Sequence, residues 1–383
     1  MGVTAAKGFR ASGTAAGIKS SGALDLALVV NDGPRFDAAA AFTSNRVKAA
    51  PVYWTEQVIK TGLLHAVVLN SGGANACTGP LGFQDTHATA ERAAEILGTS
   101  AAAIGVCSTG LIGVRLPLDN LLKGLIGAAA GLSVQGGADA AEAIRTTDTV
   151  AKTAAVARDG YTVGGMIKGA GMLAPGLATM LCVLTTDAEV PAVVLDSALR
   201  SATALTLDRI DSDGCMSTND TVILMASGAS GVAPDPADFA EAVAAVCADL
   251  ARQLLADAEG ATKEIEIEVV NAADEADGLE VARAIARNNL FKCAMYGEDP
   301  NWGRVLAAVG TTRAAFEPDR LAVAINGVWA CRDGAAGEDR ELCDLSGRHI
   351  TVTVDLKAGP ASVTVWTNDL SKEYVHENSA YSS

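Results

Sequence analysis

Hydrophobic and polar positions along the chain follow two periods, one typical of β-strands and one typical of α-helices. Within 264–269, glutamates alternate strictly with apolar residues, which predicts a strand with one face in water. Other short apolar runs predict further strands between helical segments. The predicted strands are 23–30, 65–70, 103–108, 161–167, 179–186, 221–226, 263–270, 321–326, 349–356 and 362–367.

The clearest helical pattern covers 235–260, where apolar residues recur every three or four positions. Asp235 or Asp238 is suited to begin this helix and Gly260 to end it. Similar patterns predict helices over 86–97 and 191–207. Strands separated by helices predict an α/β (α+β layered) fold. The apolar stripe of the first helix consists of Phe239, Val243, Val246, Leu250 and Leu254.

Composition narrows the class of protein. A chain of 383 residues predicts two or three lobes. A net charge of −16 argues against nucleic acid or an anionic membrane as a partner. The eight cysteines form no C-x-x-C pair, which predicts buried thiols in a reducing compartment. Four histidines make a metal site unexpected, and the N-terminus has no apolar signal segment, so we predict a cytoplasmic protein without a metal.

One junction in the sequence suggests chemistry. A glycine-rich stretch, 164–176, leads into an apolar run that begins at Ala178 and Thr179. The ordinary interpretation is a loop that enters a core strand, since threonine is common in strands. The alternative is that the Ala178–Thr179 bond is cut and leaves Thr179 as an N-terminal nucleophile.

An N-terminal threonine would not need a histidine as its base. A threonine hydroxyl is a poor nucleophile until a base takes its proton. Cleavage would free an α-amino group on the same residue, with an unperturbed pKa of about 7.7–8.0. Thr179 would then carry both the nucleophile and the base.

Four other segments contain groups suited to a site, although each has an ordinary structural interpretation. In 105–113 a strand ends near Thr109 and Gly110, which are suited to an oxyanion hole or to a simple turn. The hydroxyls of 145–149 follow a helix, and 257–263 places Glu259 at a helix end. The polar end 376–383 would ordinarily be a frayed tail.

Taken together, eight segments resemble the glutamate N-acetyltransferase, or ornithine acetyltransferase, family of arginine biosynthesis. They occur in the family's order along nearly the whole chain. One departure is Gly176, where the family commonly has a polar residue two positions before the cleavage point. The matching segments are 69–79, 107–113, 146–148, 168–181, 217–221, 257–263, 299–304 and 377–383.

The resemblance implies self-cleavage between Ala178 and Thr179, giving an α chain of 1–178 and a β chain of 179–383 in an α2β2 assembly. It implies that Thr179 carries the acetyl group from N2-acetyl-L-ornithine to L-glutamate by a ping-pong route, while Thr109 and Gly110 form the oxyanion hole. It further implies an αββα sandwich similar to N-terminal-nucleophile enzymes, with different connectivity. It implies no cofactor and leaves open whether acetyl-CoA is a co-substrate. The residues it places at the substrate are Thr146, Lys168, Thr179, Glu259, Asn378 and Ser383.

Two other functions remain open from the sequence. A self-processing amidohydrolase or aminopeptidase would use the same Thr179 chemistry and pass the acyl group to water. A layered scaffold that binds a metabolite or a partner would have Thr179 as an ordinary strand residue. The segment 299–304 is expected to pack and to order a loop rather than to bind ligand. The segment 217–221 is suited to support the site indirectly, because its hydroxyls and Asn219 favour turn hydrogen bonds.

Overall fold

The computed structural model describes residues 2–174 and 180–380. Helices and strands alternate along most of this length. The strands are β1 (Phe9–Thr14), β2 (Leu26–Asn31), β3 (Asp37–Phe42), β4 (Ala66–Gly73), β5 (Ile104–Leu111), β6 (Lys152–Ala157), β7 (Thr162–Lys168), β8 (Leu181–Thr186), β9 (Thr221–Ala226), β10 (Glu264–Ala272), β11 (Ala322–Ile325), β12 (Val328–Arg332), β13 (Ala335–Ala336), β14 (His349–Asp355) and β15 (Ala361–Asn368). The helices are α1 (Ala50–Val58), α2 (Gly79–Leu97), α3 (Leu118–Ala130), α4 (Gly137–Ala143), α5 (Ala192–Leu205), α6 (Pro236–Ala256), α7 (Glu275–Ala286), α8 (Asn289–Tyr296), α9 (Trp302–Val309) and α10 (Lys372–Ala380).

Two sheets face each other across a shared apolar core. The first sheet has the strand order β1-β2-β4-β5, and the second has the order β3-β9-β8-β7-β6. The pairs β4–β5 and β8–β9 are parallel, and the other pairs in these two sheets are antiparallel. Buried side chains from both sheets meet between them, among them Val29, Val67, Leu69, Met166, Val183 and Ile223.

Helices cover the outer faces of both sheets. The first sheet packs against α2 and α3, and the second packs against α5 and α6. The predicted stripe of α6 is fully buried, and the Asp235 carboxylate caps its first turn by accepting from Ala237 N at 2.8 Å. The helix ends at Ala256 rather than at Gly260. The layers run helix, sheet, sheet, helix, so the predicted α/β layered fold is confirmed.

The third sheet has its own core. Its strand order is β13-β12-β11-β14-β10-β15, and α7, α8 and α9 supply apolar side chains to the same cluster. In β10 the glutamates are partly exposed while Ile265, Ile267 and Val269 are fully buried, as the alternation predicts. This sheet and its helices are called the C-terminal lobe below.

The structure corrects some local expectations. The sequence pattern does not predict β1, β3, β6, β12 or β13. In β1, β3 and β6 the alanines, glycine and polar residues do not form a distinctive apolar run. The expectation that all cysteines are buried is wrong for Cys77, Cys215 and Cys293, which are exposed. Within the described ranges, no helix has the length and apolar character needed to cross a membrane.

Candidate active site

Three of the predicted site residues meet at the ends of two strands. Lys168 is the last residue of β7, and Thr109 lies near the end of β5. Thr146 lies in the loop that follows α4. The Lys168 ammonium donates to Thr146 Oγ1 at 2.6 Å and lies 3.5 Å from Thr109 Oγ1. The sheets therefore bring together residues that are 59 and 22 positions apart in sequence.

Lys168 is a buried cation, with only 2% of its surface exposed. Burial lowers the pKa of Lys168 because the charged form loses its hydration, and the nearby Asp148 carboxylate opposes that shift. Its ordered contacts leave the ammonium beside two hydroxyls rather than in a tight contact with a carboxylate. An anionic group of a ligand that bound beside Lys168 would therefore interact with a desolvated positive charge.

Asp148 links this ammonium to a second buried lysine. Its Oδ1 accepts from Lys152 Nζ at 2.7 Å and from Gly169 N at 2.6 Å. Its Oδ2 accepts from Thr146 N at 3.0 Å and lies 3.8 Å from Lys168 Nζ. Burial alone would raise the pKa of Asp148, but the two lysine charges hold that pKa well below its usual range. Asp148 is therefore an ionised carboxylate that holds the Thr146 loop next to the Lys168 ammonium.

The Lys152 ammonium is completed by a carboxylate from another element. Lys152 is fully buried and lies 2.5 Å from Asp257 Oδ2, just after α6. Asp257 in turn accepts from the backbone N–H and the hydroxyl of Thr149. The loop that carries Thr146 is therefore tied to the end of α6 as well as to β7.

Gly110 occupies a place that only glycine fits. Its φ is +126°, and a Cβ there would lie 2.6 Å from the backbone of Gly72 and Gly73. The register between β4 and β5 shifts at the same point. The glycines at the end of β4 thus allow β5 to approach closely beside Thr109.

Glu259 and Asn378 meet beside the segment 169–171, which directly follows Lys168. The Glu259 backbone N–H donates to Ala170 O at 2.9 Å, and its Oε2 accepts from Asn378 Nδ2 at 3.0 Å. A Cβ on Gly171 would lie within 2.6 Å of the Glu259 carboxylate, so a glycine there makes room for the side chain. Lys168 therefore lies only two and three positions before Ala170 and Gly171, the two residues that contact Glu259.

The C-terminal helix α10 lies against this turn. The Ser371 hydroxyl donates to Gly260 O at 2.6 Å, and a Cβ on Gly260 would lie 2.2 Å from Tyr374 N. A cleft of about 700 Å³ opens between α10 and the loops around Thr149 and Glu259. The polar end of the chain therefore contacts the Glu259 turn as far as Asn378. Ala178, Thr179 and Ser383 lie outside the described residues.

A model of the ArgJ family matches residues 10–383. The chain belongs to the ArgJ family. The predicted family, the acyltransferases of arginine biosynthesis, is therefore confirmed.

Individual relatives match the whole chain. The arginine biosynthesis bifunctional protein ArgJ of Streptomyces coelicolor is 68% identical over 383 residues, which is 100% of both sequences. The protein of the same name from Thermobifida fusca is 64% identical over 383 residues, again 100% of both. Among solved structures, ornithine acetyltransferase of Mycobacterium tuberculosis, determined with ornithine, is 60% identical. It covers 47% of this chain and 96% of that chain, with a TM-score of 0.45.

In this member of the ArgJ family, sequence reasoning missed several buried polar residues around the site. In the sequence, Asp148 and Asp257 stand out only as members of the motifs 146–148 and 257–263, and Lys152 lies in neither. The segment 217–221 is suited to support the site indirectly, and its Asn219 donates to Ala74 O at 2.6 Å and to Ser108 O, next to Thr109, at 2.8 Å. Asp220 accepts from Met180 N at 3.0 Å. The sequence indicates a role for 146–148, 217–221 and 257–263 only because these segments match motifs of the family.

Proposed function

We propose that this protein transfers the acetyl group of N2-acetyl-L-ornithine to L-glutamate, giving L-ornithine and N-acetyl-L-glutamate. The observation that carries the proposal is the separation of charge across one loop. The buried Lys168 ammonium stands at one end of 168–171, and the Glu259 carboxylate stands at the other. Each substrate has an α-carboxylate and one ammonium group, the δ-ammonium in N2-acetyl-L-ornithine and the α-ammonium in L-glutamate, so each offers charges opposite to those of Lys168 and Glu259. Membership in the ArgJ family supports the same reaction.

The proposed nucleophile is Thr179, after cleavage of the Ala178–Thr179 bond. Its hydroxyl attacks the acetyl carbonyl while its α-amine accepts the proton, and Thr109 and Gly110 stabilise the negative oxygen. Ornithine leaves with that proton, and the acetyl group stays on Thr179 as an ester. The amine of glutamate then attacks the ester and restores the hydroxyl.

The proposed binding roles follow the charges. Lys168 and Thr146 would hold a substrate carboxylate, and Glu259 would hold an ammonium group. Asn378 supports the Glu259 carboxylate, and Ser383 is proposed to complete the polar wall. We further propose that 1–178 and 179–383 remain together in an α2β2 assembly, and that the reaction uses no cofactor.

A second acetyl donor is part of the proposal. The relatives from Streptomyces coelicolor and Thermobifida fusca are named bifunctional proteins. We propose acetyl-CoA as a co-substrate that acetylates glutamate through the same Thr179 ester. Release of free thiol from acetyl-CoA, with glutamate present and N-acetylornithine absent, is the measurement that checks this activity.

The deciding experiment incubates the purified protein with N-acetylornithine, with and without glutamate, and measures both products. Acetyl transfer predicts ornithine release that depends on glutamate, with parallel initial-velocity lines for the two substrates. Ornithine release without glutamate would instead establish the amidohydrolase alternative. Thr179→Ala is the control, since it should give one uncut band on a denaturing gel and no transfer. An active preparation with only uncut chain would contradict the proposal.

A further inference from the structure

Lys152 is a buried lysine that joins two parts of the chain, each next to a proposed substrate-binding group. It is the first residue of β6 and is fully buried. Its ammonium donates to Asp148 Oδ1 at 2.7 Å and to Asp257 Oδ2 at 2.5 Å. The loop before β6 and the end of α6 therefore meet at one ammonium group.

Each of these carboxylates lies two positions from a residue that is proposed to bind substrate. Asp148 follows Thr146 by two positions, and its Oδ2 accepts from Thr146 N at 3.0 Å. Asp257 precedes Glu259 by two positions. A short path of covalent and hydrogen bonds therefore runs through Lys152, from the group that would hold a carboxylate to the group that would hold an ammonium.

The Glu259 carboxylate lies within electrostatic reach of the Lys168 ammonium. Burial lowers the pKa of Lys168, and the carboxylates of Asp148 and, more weakly, Glu259 oppose that shift. The Glu259 backbone N–H also donates to Ala170 O at 2.9 Å. The positive and negative ends of the proposed pocket are therefore close neighbours, and a shift of either end changes the separation that a substrate must match.

The balance of charge shows what the Lys152 ammonium does. Without it, the Asp148 and Asp257 carboxylates would repel each other across the space that it fills. Asp148 Oδ2 lies 3.8 Å from Lys168 Nζ and would be drawn into a direct ion pair with it. That pair would occupy the charge that a substrate carboxylate needs. Asp257 would move in the other direction and carry the Glu259 turn with it.

We propose that Lys152 is a positioning residue that fixes the separation between the two ends of the pocket and so selects the chain length of the acetyl donor. The inference rests on the proposed function, in which Lys168 and Thr146 form one end and Glu259 forms the other. A donor with one methylene group fewer or more than N2-acetyl-L-ornithine holds its ammonium group too near to its carboxylate, or too far from it, for this fixed pair of charges.

The test compares glutamate-dependent acetyl transfer from N2-acetyl-L-ornithine with transfer from its two homologues. N2-acetyl-L-2,4-diaminobutyrate has one methylene group fewer, and N2-acetyl-L-lysine has one more. Rates are expressed per cleaved chain, as measured on a denaturing gel. The wild type should prefer the ornithine donor by about tenfold or more in kcat/KM, since one methylene group in a fitted pocket has an effect of that size. Equal transfer from the three donors would overturn the inference.

Lys152→Met is the test variant, because it removes the charge and keeps an unbranched side chain in the buried space. KM for N2-acetyl-L-ornithine should rise by about tenfold, kcat should change by less than about threefold, and the preference over the homologues should fall below about threefold. Lys292→Met is the matched control, because Lys292 is also a buried lysine but donates to Ser212 and Thr367. It should lose stability and keep the wild-type donor preference.

An unchanged donor preference in Lys152→Met would overturn the inference, whatever the loss of stability, and would leave the proposed function intact. Absence of glutamate-dependent transfer in the wild type would instead overturn the proposed function. If Lys152→Met does not melt cooperatively or does not cleave, Asp257→Asn takes its place, because it removes the charge on the other side of the same contact. A lowered preference in that variant would support the inference, and the wild-type preference would overturn it.

Discussion

Two buried lysines show how differently the sandwich and the C-terminal lobe use a cation. In the lobe, Lys292 donates to Ser212 O at 2.6 Å, to Thr367 Oγ1 at 2.9 Å and to Asn368 O. Its three donors are therefore used, and burial lowers its pKa to about 8. Lys168 instead has one short bond to a hydroxyl and a carboxylate 3.8 Å away.

The difference assigns distinct roles to similar side chains. Lys292 lies in α8 and donates to Thr367 in β15 and to Ser212, which lies between α5 and β9 of the sandwich. These bonds therefore hold the C-terminal lobe against the sandwich. Among the described residues, the Lys168 ammonium has one short hydrogen bond, to Thr146, while its contacts with Thr109 and Asp148 are 3.5 and 3.8 Å long. A ligand can replace these two long contacts, and it is Asp148 that orders the Thr146 loop. A buried charge is thus structural where its donors are saturated, and available for binding where they are not.

The lysines themselves give the largest expected effects. Lys168→Met should lower kcat/KM for acetyl transfer by roughly 100-fold or more, because a charged contact to substrate is lost. Lys292→Met should instead lower the free energy of unfolding by about 3 kcal/mol, because buried carbonyls lose their donor. Urea unfolding and steady-state kinetics on both variants measure the two effects. A large loss of stability in the first variant with normal kinetics would break the comparison.

Asp148 should show the next largest effect, on stability. Asp148→Asn removes a carboxylate from two buried ammonium groups and should lower the free energy of unfolding by about 2–3 kcal/mol at pH 7. Because the folded-state pKa of Asp148 is depressed, its contribution is complete above the unfolded pKa of about 4. It is lost only as the pH falls further, through the folded pKa.

Unfolding of wild type and Asp148→Asn from pH 7 to pH 3 measures this contribution. The difference between them should stay constant down to about pH 5 and narrow below about pH 4. Asp333→Asn is the control in the C-terminal lobe, where an exposed pair with Lys357 should contribute little to the free energy of unfolding because water screens it. Equal losses in the two variants would contradict the distinction between buried and exposed pairs.

Shortening the C-terminal helix α10 should lower activity with almost no loss of stability. No residue of α10 is buried, so deletion of 378–383 should change the free energy of unfolding by less than about 0.5 kcal/mol. The loss of the bond from Asn378 to Glu259 should lower kcat/KM by about tenfold. Ser379→Ala, which loses only a contact to His376 O, is the matched control. Full activity in the truncated chain would remove both Asn378 and Ser383 from the proposed site.

The smallest expected effect is that of adding one methyl group at Gly171. Gly171→Ala should displace the Glu259 carboxylate without moving backbone, because the added Cβ meets only the end of a flexible side chain. We expect KM for N-acetylornithine to rise about fivefold with little change in kcat. Gly347→Ala, whose Cβ would lie 3.9 Å from His349 O, should leave both constants unchanged. An unaltered KM in Gly171→Ala would argue against a binding role for Glu259.

The layered architecture was predictable because its signals are local. The stripe of α6 and the alternation in β10 each arise within one element, and both side-chain patterns are buried as predicted. The strands β1, β3 and β6 were not predictable in this way. Their small and polar residues become strand only because neighbouring strands complete their hydrogen bonds.

For the site, the sequence alone determined the family, the helical and strand periodicity, and which motifs carry polar chemistry. Only the tertiary structure decided that Asp148 lies between Lys168 and Lys152, and that Asp220 holds the amide of Met180. The physical reason is that electrostatic and hydrogen-bonding contacts depend on distance in space and on burial. Sequence separation gives neither until the sheets have formed.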